Sequence, residues 1–308
     1  MDAQAQGAAS TAAGTSATPA QLRIGSLNVH GFKNGKRQST SGEIATLLDA
    51  QNLDIIAVQE AKWQDVAALA HKLGGLFWVA ARSTALLSRF PLRTSDEYGH
   101  GVGAKNLTGP DCHLGKIKRS GCETRHARAV AELPGDSLEV LSIHLDHVAE
   151  TRRLAQLQQL IDHVTGADSA PVRAAPAAPA APPTSSSSGG PLSDAVWMGD
   201  FNALTRTDYD ESEWREVAAV RARSDWEAPV SELTGAITGD GGLQFVDARV
   251  AAREAPGPRS TCRFNTRIDY VFLGPGTASR WRVAACEHVE AIPAASDHNL
   301  VVATLETA

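Results

Sequence analysis

Residues 195–202 read AVWMGDFN, an apolar run that ends in an acidic and an amide side chain, Asp200 and Asn202. The run is apolar on both alternations of a strand, which indicates a strand covered on both faces by other layers. Two other runs share this property, IIAVQ at residues 55–59 and LVVA at residues 300–303. Strands covered on both faces are typical of layered α/β proteins, so this fold class is predicted.

Further β-rich runs alternate with polar or helical segments from Leu22 almost to the C-terminus. Ten strands are predicted, at residues 22–29, 54–60, 76–81, 85–88, 129–133, 138–145, 195–201, 267–273, 282–289 and 300–306.

Four helices are predicted between these strands from the spacing of apolar side chains. Thr40 and Glu43 have the form of a capping box at the start of the first helix. The apolar positions of the other three are Trp63 to Leu73, Leu154 to Val164 and, for a shorter helix, Trp214 to Ala218.

Two stretches have a composition that builds no core. Residues 1–20 are rich in Ala, Ser, Thr and Gly and are predicted to be a disordered tail, and residues at about 166–193 contain APAAPAAPPTSSSSGG. The second stretch is interpreted as a flexible insertion within one domain of residues 21–308, because strands continue on both sides. A linker between two domains is the alternative.

Composition excludes several classes of protein. Hydrophobic residues make up 43% of the chain and charged residues 21%, which indicates a globular protein, and no apolar run approaches the ~20 residues of a membrane span. The net charge of −6 gives no global reason to expect a nucleic-acid binder. The first 20 residues contain no basic segment followed by an apolar one, so a secretory signal is not expected, and four scattered cysteines do not indicate a disulfide framework. An intracellular location, cytoplasmic or nuclear, and a monomer are expected.

Polar residues able to bind metal or move protons recur at the ends of the apolar runs, where ligands gather in layered α/β proteins. Each has an ordinary structural explanation if it is taken alone, but they recur as an ordered set: Asn28, Glu60, His144, Asp200, Asn202, Asp269, Asp297 and His298.

This set suits the hydrolysis of a phosphate ester, which needs a cation, a base and donors for developing negative charge. Glu60 is a hard oxygen ligand of the kind Mg²⁺ prefers. Asp200 is a candidate base, and the Asn202 amide can hold the water or a phosphate oxygen. His144 and His298 are candidate donors, with Asp269 or Asp297 favouring the protonated imidazole.

In this order, QE at residues 59–60, GDFN at 199–202 and SDH at 296–298 resemble the endonuclease/exonuclease/phosphatase superfamily. The resemblance implies a four-layer α/β sandwich in which two mixed β-sheets pack face to face with helices outside. It also implies a divalent metal, Mg²⁺ with Mn²⁺ as a possible substitute, and a site at one end of the sandwich.

Carried over residue by residue, the resemblance makes Glu60, Asn28 and Asp297 metal-proximal and gives Asn28 a part in placing the phosphate. It assigns Asp200 to the attacking water and Asn202 to the phosphate. By the same resemblance His298 contacts the scissile phosphate, Asp269 orients that histidine, and His144 contacts the phosphate or leaving group.

Three arginines are further candidates for substrate binding by the same resemblance. Arg153 begins an R-x-x-Q feature, and Arg125 and Arg128 fall on a strand that is often basic near the cleft. The preceding basic cluster at residues 113–128 is interpreted as a substrate guide or as a solvated loop. Cys112 and Cys122 lie in the same region and are bridged, free or bound to zinc.

Some features depart from the resemblance. His30 stands where abasic-site and tyrosyl-DNA enzymes tend to carry an aspartate, which puts a second metal position in doubt. DNA-wedging loops and a phosphoinositide-recognition signature are not identified. An acidic segment after residue 202 is expected either to line the groove and repel a long polyanion or to be the solvated start of a helix.

The sequence therefore predicts a Mg²⁺-dependent phosphoesterase, a phosphodiesterase or nuclease-like hydrolase whose partner is a phosphate-ester substrate, nucleic acid among the candidates. A phosphomonoesterase or a lipid-headgroup phosphodiesterase on the same fold is the first alternative. A catalytically silent member that binds a phosphorylated partner is the second.

Overall fold

The computed structural model describes residues 18–94, 125–166, 190 and 192–308. The strands are β1 Gln21–Asn28, β2 Ile55–Gln59, β3 Phe77–Ala81, β4 Thr84–Ser88, β5 Leu92–Arg93, β6 Arg125–Leu133, β7 Asp136–His144, β8 Ala195–Asp200, β9 Val246–Asp247, β10 Asp269–Leu273, β11 Trp281–Val289 and β12 Leu300–Thr307. The helices are α1 Ser41–Ala50, α2 Trp63–Lys72, α3 Glu150–Thr165, α4 Glu211–Arg223, α5 Glu232–Thr238, α6 Ala248–Ala251 and α7 Pro275–Arg280.

The strands form two six-stranded sheets. The first has the order β11-β12-β1-β2-β4-β3, and the second has the order β5-β6-β7-β8-β10-β9. Each sheet contains one parallel pair, β1 with β2 and β7 with β8, and its other neighbours are antiparallel. Both sheets are therefore mixed, as predicted.

A layer of apolar side chains joins the two sheets face to face. Strand β6 sends Ala127, Ala129 and Ala131 into this layer, where they meet residues of the first sheet such as Leu22 and Ile24. The alternation of side chains along a strand leaves the polar residues of β6 on its other face. This layer is the central core of the molecule.

Helices cover the outer face of each sheet. In α1 and α2, Ile44 and Leu69 belong to the apolar cluster on the first sheet. In α3 and α5, Leu160 and Ile237 belong to the cluster on the second sheet, together with Trp197 of β8. Two helical layers around two sheets make the predicted four-layer α/β sandwich, and the fold prediction is confirmed.

All ten predicted strands are present, and the two that were missed, β5 and β9, have two residues each. The four predicted helices are also present, but the fourth, α4, is longer than its apolar positions indicated. No helix among the described residues is long and apolar enough to cross a membrane.

The capping-box interpretation of Thr40 is wrong. Thr40 precedes α1, but its side chain makes no capping hydrogen bond, and its hydroxyl is buried without a partner among the described residues. A capping box instead starts α4, where the Asp210 side chain accepts from the Glu213 amide and the Glu213 side chain accepts from the Asp210 amide.

The tail at residues 1–17 and most of the predicted insertion, residues 167–189 and 191, lie outside the described residues. The domain boundaries therefore stay predictions. Residues 95–124, with Cys112, Cys122 and most of the basic cluster, also lie outside the described part of the chain.

Gly199 fixes the close approach of β7 and β8 beside the predicted catalytic residue. A Cβ at this position would lie 1.9 Å from the Ile143 carbonyl oxygen, and the φ of Gly199 is 154°. We expect Gly199→Ala to lower the free energy of unfolding by about 2–4 kcal/mol, because backbone in a strand has no room to move away. Urea denaturation of the two proteins measures this difference.

Gly235→Ala is the matched control, because Gly235 lies in α5 and a Cβ added there would meet no heavy atom within 4 Å. Alanine is the better helix former, so this variant should be as stable as the parent or up to about 1 kcal/mol more stable. Equal urea midpoints for Gly199→Ala and the parent would contradict the packing argument.

Candidate active site

The topology brings the predicted site residues to one edge of the sandwich. Asn28 pairs with Gln59 at the ends of the parallel strands β1 and β2, and His144 pairs with Asp200 at the ends of β7 and β8. Strand β10 runs antiparallel to β8, so that its first residue, Asp269, pairs with Asp200. The carboxyl ends of four strands and the amino end of a fifth therefore share this edge.

The side-chain amide of Asn28 connects the carboxylates of Asp200 and Glu60. Its Nδ2 donates to Asp200 Oδ2 over 3.0 Å and to Glu60 Oε1 over 3.2 Å. The other side of the amide is also used, since Asn28 Oδ1 accepts from the His30 backbone N–H. Asn28 is buried, so the amide holds the two carboxylates side by side behind the site surface.

His298 and Asp269 form a buried pair next to Asp200. His298 Nδ1 lies 2.8 Å from Asp269 Oδ2, and His298 Nε2 lies 3.8 Å from Asp200 Oδ2. The ring position is further fixed because the Ser296 hydroxyl accepts from the His298 backbone N–H. The Asp269 backbone N–H donates to Thr261 Oγ1.

These contacts shift the pKa values of two groups. Burial lowers the pKa of His298, but the charge and hydrogen bond of Asp269, with the charge of Asp200, outweigh it and hold that pKa well above 6.5. Burial and the Asp269 carboxylate raise the pKa of Asp200, although His298, His144 and the Asn28 amide oppose this. His298 is therefore a cation at neutral pH, and Asp200 is more basic than an ordinary aspartate.

His144 and Asn202 complete the second sheet's contribution. His144 Nε2 lies 3.7 Å from Asp200 Oδ2 and 3.9 Å from Glu60 Oε1. The Asn202 backbone N–H donates to Asp200 Oδ1, and its side-chain amide donates to the Leu145 carbonyl. Asp200 is thus held at both carboxylate oxygens.

Three residues at this edge have left-handed backbone conformations: His30 at φ 47°, Glu60 at φ 58° and Asn202 at φ 51°. Such conformations cost free energy in non-glycine residues and persist where neighbouring contacts fix the chain. Backbone hydrogen bonds from Val29 to Gln59 and from Ala61 to Ser83 flank the first two. The residues with strained backbone therefore lie where the chain leaves the edge of each sheet.

A cleft of about 690 Å³ opens over these groups. Its lining includes Glu60, His144, Asp200, Asn202, Asp297 and His298. Asn28 and Asp269 are not part of this surface, because each is bonded to a cleft residue from behind. All eight strand-end residues predicted from the sequence thus belong to one connected arrangement.

The residues around Glu60 fit a divalent cation. Glu60 is 37% exposed in its side chain and faces His30, whose Nδ1 lies 3.8 Å from Glu60 Oε2 and 3.3 Å from Asp297 Oδ1. Asp297 Oδ1 is buried and accepts no hydrogen bond from a described residue. The partly exposed Glu60 carboxylate, beside an Asp297 oxygen that His30 approaches to 3.3 Å without a hydrogen bond, is a donor set suited to a hard ion such as Mg²⁺.

A second group of possible ligands lies deeper. Ligand atoms of Asp200, Asp269 and His298 all lie within 4.8 Å of one another. Asp269 and His298 are already hydrogen-bonded to each other, which leaves His298 Nε2 unengaged, while each oxygen of Asp200 accepts one hydrogen bond. Asp269 Oδ1 is buried with no hydrogen-bond partner among the described residues.

Two of the three predicted substrate-binding arginines do not reach the cleft, and these predictions are corrected. Arg153 is buried, with Nε bonded to Glu150 Oε2 and Nη1 to the Asp146 carbonyl, so it fixes the start of α3. Arg128 is ion-paired with Glu139 on the neighbouring strand. The side chain of Arg125 lies outside the described part of the chain.

The acidic segment after residue 202 does not line the cleft. Asp208 pairs with Arg267, and Glu213 pairs with Arg259. Arg267 also pairs with Asp247, not with Asp269, which leaves Asp269 to His298. The segment leads into the start of helix α4, as the solvated-helix interpretation predicted. Its acids also form ion pairs and a helix cap.

The cleft residues that were not identified from the sequence as binding residues include His147, Arg221, Trp226, Arg263 and Phe264. Arg263 and Phe264 precede the RID motif at residues 267–269, so proximity to a predicted catalytic residue was an available signal. Arg221 and Trp226 lie at and beyond the end of α4 and look like part of an ordinary polar helix.

The chain is similar to known proteins both in sequence family and in fold. Residues 25–298 match the model of the endonuclease/exonuclease/phosphatase family. Among curated proteins, none matches the chain significantly in sequence.

Solved structures of similar fold include a family member from Bacteroides vulgatus, with 16% identity, a TM-score of 0.61 and coverage of 94% of this chain and 99% of that one. A mannosyl-6-phosphatase from Bacteroides thetaiotaomicron has 14% identity, a TM-score of 0.55 and coverage of 92% and 99%. A humanized D. rerio TDP2 has 16% identity, a TM-score of 0.52 and coverage of 94% and 100%.

At these identities the structural likeness establishes the fold, whereas the family model covers most of the sequence. On that match, the chain belongs to the endonuclease/exonuclease/phosphatase family.

Proposed function

We propose that this protein is a Mg²⁺-dependent phosphodiesterase, a nuclease-like hydrolase that cleaves a phosphate ester by attack of water. The observation that carries the proposal is the buried His298–Asp269 pair beside Asp200, opening into a cleft of about 690 Å³. A cationic imidazole and a carboxylate of raised pKa on one surface are the groups that this reaction needs.

Asp200 orients and deprotonates the attacking water in this proposal. Asn28 and the Asn202 backbone N–H hold its two carboxylate oxygens, so the side chain has one preferred orientation. Its raised pKa makes the ionised carboxylate a stronger base than that of an exposed aspartate.

His298 binds a phosphate oxygen and stabilises the charge that accumulates there. Its Nδ1 is engaged by Asp269, so Nε2 is the atom that donates to the substrate. His144 contributes a second imidazole on the same side of Asp200. Donors already in place need no reorganisation as negative charge develops.

Glu60 and Asp297, with Asn28 positioning Glu60, are the residues that would hold Mg²⁺, and Mn²⁺ is a substitute of the same ligand preference. The bound ion supplies Lewis-acid neutralisation of the phosphate. His30 Nδ1 lies between the two carboxylates, 3.8 Å from Glu60 Oε2 and 3.3 Å from Asp297 Oδ1.

A phosphomonoesterase is the second candidate. It is favoured by the fold shared with the mannosyl-6-phosphatase from Bacteroides thetaiotaomicron. The same residues would act on either ester, so the distinction rests on the substrate and not on the catalytic groups.

We expect Asp200→Asn and His298→Ala each to lower kcat on bis(p-nitrophenyl) phosphate by at least ~10²-fold, because each removes a group that acts in the transition state. Chelation with EDTA should abolish turnover, and added Mg²⁺ should restore it. Steady-state kinetics with Mg²⁺ and with Mn²⁺ measures these effects.

Asp240→Asn and His71→Ala are the matched controls, since both residues are exposed and neither lines the cleft. Their kcat should stay within about twofold of the parent. Full activity of Asp200→Asn and His298→Ala would remove the proposed mechanism.

Glu60→Gln should weaken Mg²⁺ binding by at least ~10-fold, since loss of an outer-shell partner alone commonly costs that much. Calorimetric titration with Mg²⁺, and spin-resonance titration with Mn²⁺, measure the affinity without substrate. If Asp269→Asn abolishes binding while Glu60→Gln leaves it intact, the ion occupies the Asp200, Asp269 and His298 group instead.

Asp269 is a positioning residue in this proposal, because it acts through His298. Asp269→Asn keeps the shape but removes the charge, so the pKa of His298 should fall toward or below 6.5 as kcat falls. Nitrogen NMR of the imidazole follows that pKa directly. An unchanged His298 pKa in the variant would assign Asp269 a packing role.

A further inference from the structure

Arg221 is a buried cation in the wall of the cleft. It lies in α4, is 8% exposed and belongs to the lining of the cleft together with Asn202 and His147. Its Nε donates to the Glu227 carbonyl over 2.6 Å, which fixes the direction of the side chain. Its Nη2 is buried with no hydrogen-bond partner among the described residues.

The nearby acids do not neutralise Arg221. Glu150 is taken by Arg153 and by the Leu233 backbone N–H. The Glu227 side chain accepts from the Glu150 backbone N–H. No described carboxylate comes within ion-pair distance of the Arg221 guanidinium. A buried guanidinium with an unused donor is costly unless an anion completes it.

Two aromatic rings hold guanidinium groups in the same part of the wall. The Arg221 guanidinium lies 5.7 Å from the centre of the Trp226 ring, and that of Arg263 lies 4.9 Å from the centre of the Phe264 ring. The two rings contact each other edge to face at 5.2 Å. Each ring therefore supports an arginine, one buried and one more exposed.

Three other arginines, Arg128, Arg153 and Arg263, differ from Arg221 in that each has a carboxylate partner. Arg153 and Arg128 satisfy their charge with a carboxylate inside the protein. Arg263 has Asp297 at 3.7 Å, a loose pair at the mouth of the cleft. Among these four, Arg221 alone has no carboxylate partner in the described part of the chain and also lines the cleft.

We propose that Arg221 binds a second anionic group of the substrate, so that the preferred substrate carries a further phosphate beside the one that is cleaved. This inference rests on the proposed function and adds the substrate class. The planar fork of arginine suits phosphate oxygens, and Arg263 adds positive charge at the outer side of the same subsite. An oligonucleotide and a bisphosphorylated sugar share this chemistry.

Matched ligands test the inference without turnover. A thymidine dinucleotide with and without a terminal 5′-phosphate, and a hexose bisphosphate with its monophosphate, are titrated calorimetrically into the full chain in chelator at ~0.15 M salt. In at least one pair the ligand with the additional phosphate should bind at least ~10-fold more tightly, as expected for a charge-assisted hydrogen bond. The pair in which this occurs identifies the source of the second phosphate.

Arg221→Gln should reduce that preference to about twofold or less, and Arg221→Lys should restore part of it because it returns the charge without the fork. Arg215→Gln is the matched control, since Arg215 lies on the same helix outside the cleft lining. It should keep the preference of the parent.

Equal affinities within both pairs for the parent protein, or binding of none of the four ligands, overturn the inference even if Arg221→Gln does not fold. Hydrolysis with Mg²⁺ is measured separately on the same ligands. Mg²⁺-dependent hydrolysis without a preference rejects the second-anion subsite alone. A preference in binding without any hydrolysis of a diester or monoester rejects the proposed function alone.

Discussion

The hydrogen bond from Asn28 to Asp200 joins the two sheets at the edge that carries the proposed active site. Asn28 ends a strand of the first sheet and Asp200 ends a strand of the second, yet their side chains meet at 3.0 Å. Deeper between the sheets, Gln59 Nε2 donates to Ser142 Oγ, and this hydroxyl donates to the Val58 carbonyl. A satisfied buried polar network is specific in geometry where apolar packing is permissive. The apolar layer joins the two sheets, and these few contacts add a specific alignment of the strand ends at this edge.

The short distances among Asp200, Asp269 and His298 create the electrostatic character of the site. Asp200 and Asp269 are two buried carboxylates, and their mutual repulsion is part of what raises the pKa of Asp200. His298 bonds to one of them and lies close to the other, so that its charge is stabilised in spite of burial. Fixed charges in a site of low polarity act more strongly on a substrate than exposed charges do. The strained backbone at Glu60 and Asn202 is a cost of the same arrangement.

The parts of the structure that the sequence predicts are those set by local pattern and strand direction. The strands follow from apolar alternation, and the meeting of Asn28, Glu60, Asp200 and Asp269 follows once these residues are assigned to strand ends. Partner choice among charged side chains is different, because it depends on distances between segments far apart in the chain. Arg267 lies two residues before Asp269 in the chain. It nevertheless bonds to the distant Asp208 and Asp247, while Asp269 bonds to His298. The Arg128–Glu139 pair likewise depends on the register of β6 and β7, whereas Glu150 lies three residues before Arg153 on α3, so that this pair was available from helical spacing.

The proposed catalytic groups and the cleft wall belong to different parts of the fold. Asn28, His144 and Asp200 belong to strands of the central sheets, where a change of backbone would disturb the core between the layers. Arg221 belongs to a helix outside the sheets, and Trp226 and Phe264 to connecting segments. Segments of this kind can change while the strand ends stay in place. A fold shared at 14–16% identity with a mannosyl-6-phosphatase and with TDP2 therefore does not define the substrate. The substrate of this chain is to be sought in the residues of its cleft wall, where Arg221 has a buried Nη2 with no hydrogen-bond partner among the described residues.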